Sequence, residues 1–71
     1  METNELMKNK TKYFFEHKIK VHIKKNNGYI HNGLILELKG DLLILDDKKN
    51  GAMPIYFLEI FEIEKMEEVG G

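Results

Sequence analysis

The chain has 71 residues with no cysteine and no arginine, and eleven lysines against twelve acids leave a formal net charge of −1. One domain of this size buries about 60% of its unfolded surface, so a lone core supplies roughly 3 to 5 kcal/mol and further support is expected. Without cysteine neither a disulfide framework nor a thiolate zinc site can give that support, which leaves oligomerisation as the common route. No apolar run approaches the ~18 residues of a membrane span, and Glu2, Asn4 and Glu5 give the N-terminus no signal-peptide profile. The expectation is a single soluble, cytoplasmic domain over 1–71.

Charge is unevenly spread. Residues 1–25 carry seven lysines against Glu2, Glu5 and Glu16, a balance of +4, while residues 26–71 carry four lysines against nine acids, a balance of −5. The pattern predicts a basic patch on an acidic body. Lysine holds phosphates as a point charge, but the bidentate arginine fork is missing throughout.

In chain order, Thr3 to His17 reads as an amphipathic helix with Leu6, Met7, Lys10, Tyr13, Phe14 and His17 on one face, Thr3 or Asn4 as cap, and Phe14 and Phe15 as packing residues. Lys18 to Lys25 alternates strictly. Ile19, Val21 and Ile23 face inward and Lys18, Lys20, His22 and Lys24 outward. Asn27-Gly28 is a hairpin signal, and as a two-residue type I′ turn it pairs Ile23 with Asn32, Val21 with Leu34 and Ile19 with Leu36. A second turn at Lys39-Gly40 or Gly40-Asp41 then sets Leu34, Leu36 and Leu38 on the core face with Leu43 and Leu45. Ile35, Leu42 and Ile44 fall on the opposite face, which needs a cover from the helix or a neighbouring subunit. Gly33, in mid-strand, marks a bend or bulge.

Asp46 to Gly51 is a polar connection ending in Asn-Gly, and Pro54 places the start of the fourth strand at an edge or entry position. After a brief turn at 57–60, Phe61 and Ile63 are expected inward and Glu62 and Glu64 outward, with 67–71 a tail. A terminal Gly-Gly is also seen in ubiquitin-like modifiers, but those begin with a strand hairpin.

A helix over 3–17 followed by five short antiparallel strands over 18–66 resembles the Sm-like (LSm) family. The likeness lies in Val21 and Ile23, the Asn27-Gly28 turn, Gly33-Leu34, the run Leu43 to Asp47, and Phe57 to Ile60 with the strand after it. It implies a mainly β, five-stranded, strongly bent SH3-like barrel whose fourth and fifth strands pair with neighbours, giving a homo-oligomeric ring of six or seven. It also implies single-stranded RNA as partner, held by the loop between strands two and three and the link between strands four and five. Lys39, Asp41 and Glu59 occupy those loops. Leu42 stands where the family has Asn, and Phe57-Leu58-Glu59 has neither the family's Arg-Gly nor the Lys-His pair of its bacterial chaperone.

On the residues themselves, Lys18, Lys20, His22, Lys24, Tyr29 and His31 combine cationic and stacking groups on the expected outer face of the first hairpin, the ingredients of sequence-tolerant nucleic-acid binding. A cross-strand pair of Lys18 with Glu37 would instead make this an ordinary salt-bridge face. His22 and His31 lack further ligands for a metal, and no cofactor motif is present. With no cysteine, serine-like hydroxyls only at Thr3 and Thr11, and Asp46-Asp47 and Glu67-Glu68 expected as solvated charges, catalysis is not expected. The two functions to weigh are an RNA-binding ring and an interaction module of the same fold that has lost RNA recognition.

Overall fold

The computed structural model describes residues 2–67, with side chains from Glu5 onward. The expected capping side chains at Thr3 or Asn4 and the tail beyond Glu67 lie outside the described residues.

Helix α1 (Glu2–Glu16) buries Thr11 and Phe14 and half-buries Met7 and Phe15, whereas Leu6 and Tyr13 are exposed. The inward stripe is therefore rotated from the expected Leu6–Tyr13 face. Thr11 fits inside because its hydroxyl donates to the Met7 carbonyl at 2.7 Å, leaving no unsatisfied polar atom. The helix ends in a Schellman motif: Ile19 N–H donates to the Phe14 carbonyl (2.9 Å) and Lys18 N–H to that of Phe15 (3.2 Å), with Ile19 packed on the core beside Phe14. Lys18 takes the left-handed position at φ 53°, a conformation that costs a non-glycine residue about 1–2 kcal/mol. That is why the first strand begins at Val21 and not at Lys18, and why Lys18 and Glu37 do not pair.

Strand β1 (Val21–Lys25) joins β2 (Ile30–Lys39) through a loop of three residues, not two. Lys25 N–H donates to the Tyr29 carbonyl, Gly28 N–H to the Lys25 carbonyl, and Gly28 alone has positive φ, at 93°. This is a type I turn followed by a left-handed glycine. The extra residue moves the register by one, so Val21 faces Gly33 and Ile23 faces His31. Every side chain at the start of β2 changes face accordingly: Ile35 is buried, Leu34 turns outward, and Leu36 is 46% exposed. A bulge between Ile35 and Glu37 absorbs Leu36 and restores Leu38 to the inner side, opposite Leu43.

The β2–β3 turn is Gly40-Asp41, with Lys39 opposite Leu42 and positive φ at Gly40 only, as in a type II′ turn. Strand β3 (Leu42–Asp47) buries Leu43 and Leu45 as expected and pairs with β4 (Gly51–Tyr56), an edge strand that tolerates Pro54. A 3₁₀ turn (Phe57–Glu59) leads to β5 (Ile60–Lys65), which pairs with β1. A second bulge, opposite Lys24 and Lys25, sets Ile60 and Ile63 inward and leaves Phe61 63% exposed, contrary to the alternation expected for it.

The result is one bent antiparallel sheet of order β4-β3-β2-β1-β5, a small barrel-like fold capped by α1. Its core takes residues from every strand: Val21, Ile23, Ile35, Leu43, Leu45, Ile55, Ile60 and Ile63, closed by Phe14 and Phe57. Where β3 crosses Gly33 the backbones approach so closely that a β-carbon there would overlap the Asp46 carbonyl oxygen, whereas one at Gly40 meets nothing. Gly33→Ala is therefore expected to cost more than about 4 kcal/mol and leave the chain unfolded at 25 °C by circular dichroism. Gly40→Ala is expected to cost only about 1–2 kcal/mol, the left-handed penalty. Equal losses in the two variants would contradict the close approach.

Candidate functional site

The expected RNA-binding residues do not form one surface. Lys18 and Lys20 lie in the connection from α1 to β1. His22 and Lys24 are on the outer face of β1, where their cross-strand neighbours on β5 are Glu64 and Glu62. Lys10 from α1 also meets Glu64, at 2.6 Å, and Lys24 Nζ lies 5.8 Å from the centre of the Phe61 ring. His22 Nδ1 meets Asn32 Oδ1 on the other side, at 2.8 Å. The lysine-rich N-terminal third is thus folded against the acidic C-terminal strand, and the expected basic patch is locally neutralised. Each such exposed pair is worth about 0–1 kcal/mol, so the consequence is for the field at the surface more than for stability.

Lys39, Asp41 and Glu59 do gather at one end of the barrel. Phe57 N–H donates to the Asp41 carbonyl (2.9 Å), while Asn26 N–H donates to the Glu59 carbonyl (2.8 Å) and Asn26 Nδ2 to that of Leu58 (2.9 Å). The link at 57–59 is thereby held between the first and second turns. The charges around it are of mixed sign, with Lys25 Nζ of β1 3.7 Å from Glu59, and Leu58 is 79% exposed.

The third group is built differently from the expectation. His31 does not share the outer face with His22. The one-residue register change turns it inward, where its Nδ1 stands 3.3 Å from Asp47 Oδ1. Asp47, expected as a solvated loop charge, is buried. Its Oδ2 accepts from the backbone N–H groups of Lys49 (2.9 Å) and Asn50 (3.0 Å) and from Asn50 Nδ2 (3.1 Å), so one carboxylate organises the whole β3–β4 turn. Lys48 N–H donates to the Asn32 carbonyl and ties the turn to β2. Burial pushes the Asp47 carboxyl up, but the Asn50 and Lys49 amides and His31 outweigh it and hold the group below its usual range. An ionised Asp47 only accepts, so His31 carries its proton on Nδ1. Among the described residues no protein group reaches His31 Nε2, which is buried; leaving such an atom unmatched costs about 1–3 kcal/mol.

Above this pair lies a cleft of about 560 Å³, bounded by Tyr29, Ile30, His31 and Asn32 on one side and Asp47 to Asn50 on the other. The Tyr29 residue is 67% exposed. Lys48 and Lys49 are exposed beside it and make no ion pair among the described residues. Sequence reasoning named Tyr29 and His31 but missed Asp47, Lys48, Lys49 and Asn50. The available signal was an aspartate placed two and three residues ahead of turn amides in Asp47-Lys48-Lys49-Asn50-Gly51, the spacing of a side chain that caps its own turn. Among the described residues no three His, Asp or Glu side chains come together as a metal site, and no helix is long and apolar enough to cross a membrane.

In comparisons with known proteins, no family model and no curated protein matches the chain.

Because Asp47 is more acidic folded than unfolded, its contribution is fully present above the unfolded carboxylate pKa of about 4 and is lost as pH falls through the lower folded value. Asp47→Asn is expected to lose about 1–3 kcal/mol at pH 7, with the difference from the parent shrinking below about pH 4. Urea titrations at both pH values check this. A variant as stable as the parent at pH 7 would show that the carboxylate does not organise the turn.

Proposed function

We propose that the chain is a non-catalytic Sm-like module of the cytoplasm that assembles with copies of itself and binds single-stranded RNA. The observation that carries this is the pair of open sheet edges. In the order β4-β3-β2-β1-β5, one side of β4 and one side of β5 have no partner strand among the described residues. Exposed Tyr56 lies on the first and exposed Phe61 on the second. The outer face of β2 and β3 adds half-buried Leu34, Leu42 and Ile44 and exposed Leu36, while the inward side chains of α1 are spent on the core. Open edges with apolar side chains have to be blocked or used. Pairing β4 of one copy with β5 of the next is a head-to-tail contact, which closes into a ring when its rotation permits. The order of helix and five strands, which resembles the Sm-like family, supports a hexamer or heptamer and RNA as partner.

A second reading has its own observation. Glu62 and Glu64 face the outward residues of β1, and Leu42 occupies the position of a base-contacting Asn in the family, so the same assembly would serve protein interaction alone.

Light scattering combined with titration of labelled oligouridine and mixed-sequence RNA separates these. The expected result is a mass several times that of the monomer and binding that weakens steeply between about 50 and 200 mM salt, as lysine–phosphate contacts require. A strict monomer at high concentration would overturn the assembly. An oligomer with no salt-sensitive RNA binding would favour the second reading.

A further inference from the structure

The cleft above His31 and Asp47 is the place, among the described residues, where an exposed aromatic ring, lysines without a carboxylate partner and a buried unmatched imidazole nitrogen meet. Its lining residues are not those of the loops at 39–41 and 57–59 that the resemblance implies. It is also a built site. The turn carrying Lys48 and Lys49 is fixed from beneath by Asp47 and from the side by Lys48 N–H on the Asn32 carbonyl, and Tyr29 is anchored through its N–H to Asn27 Oδ1 and through its carbonyl to Lys25.

Resting on the RNA reading above, we infer that this cleft binds a nucleotide unit, with Tyr29 stacking on the base and Lys48 and Lys49 holding its phosphate. The chemistry favours a nucleotide over a phosphate borne by a peptide, because the exposed ring needs a planar partner and every base has a π-face. Lysines are suited to the phosphate as point charges. His31 lines the cleft, and its Nε2 is a polar atom with no hydrogen-bond partner among the described residues, beside the place a base or sugar would occupy. Asp47 does not repel the phosphate strongly, since its oxygens are turned into the protein and already accept from Lys49, Asn50 and His31. The lysines of β1 offer no equal site, because Glu62 and Glu64 stand opposite that strand's outer face.

The test is fluorescence anisotropy with labelled oligouridine and oligoadenine RNA of about ten nucleotides at two salt concentrations, on the parent chain and on variants whose fold is checked by circular dichroism. Lys48→Ala/Lys49→Ala keeps both turn amides and is expected to weaken binding at least about 10-fold and to lower the log–log salt slope by about 2. Tyr29→Ala is expected to weaken it about 5- to 100-fold and Tyr29→Phe to bind like the parent, as stacking requires. Lys18→Ala/Lys24→Ala serves as control and is expected to stay within about 3-fold. An NMR titration with uridine monophosphate distinguishes the two sources of the ligand. Shifts at Tyr29, His31 and Lys49 with the mononucleotide mark a site for free nucleotides, and shifts with the oligomer alone mark a site for strands; either supports the cleft. RNA binding that is unchanged in the Lys48/Lys49 and Tyr29 variants would overturn the cleft and leave the RNA reading standing. No binding of any probe by the parent would overturn both.

Discussion

The structure depends on a count of three residues in one hairpin loop. With Asn26, Asn27 and Gly28 between the strands, and only Gly28 left-handed, β1 and β2 meet in a register that turns His31, Gly33 and Ile35 toward the core. A two-residue loop would send all three outward. From that single parity follow the burial of Ile35, the contact of His31 with Asp47, and the approach of the β3 backbone to Gly33. The bulge at Leu36 is a second consequence. Without it the register that buries Ile35 would also expose Leu38 and cost the core its neighbour of Leu43. The exposed leucine is the residue the sheet gives up to keep both ends of β2 in register with the core.

Asp47 is where fold and surface chemistry join. A buried carboxylate needs its lone pairs matched, and here the turn after β3 supplies two backbone amides and an Asn side chain while β2 supplies an imidazole. The same bonds set the turn that carries Lys48 and Lys49 and engage Nδ1 of His31, leaving its Nε2 without a partner among the described residues. Surface electrostatics follows from strand order in a similar way. Placing β5 beside β1 brings Glu62 and Glu64 against Lys24 and His22, and Glu64 against Lys10, so part of the lysine-rich beginning of the chain meets its acidic end.

Much of the fold was legible because it rests on local rules. The helix, five strands and the inward Val21, Ile23, Leu43 and Leu45 follow from periodicity, and Pro54 left an edge or a strand-entry position open, of which the edge is found, with Pro54 inside β4. What was not legible depended on choices that periodicity leaves open. Asn27-Gly28 fits a two-residue and a three-residue loop equally well as a motif, and the wrong count displaced Leu34, Ile35, Leu36 and His31 together. Bulges at Leu36 and Phe61 break alternation to satisfy packing across strands, which no single strand encodes. Lys18 looked like the start of a strand because nothing in its side chain announces a left-handed helix end. The acidic neighbours of the expected binding surface were not legible for a tertiary reason, since Glu62 and Glu64 are distant in sequence from the β1 residues they oppose.

The most direct test of this account is the Nδ1 proton of His31, read from two-bond proton–nitrogen correlations of its imidazole at neutral pH. Inward placement against an ionised Asp47 predicts a proton held on Nδ1, and loss of that fixed position in Asp47→Asn. A mixture of tautomers in the parent, like that of an imidazole on the outer face, would contradict the register and with it the site.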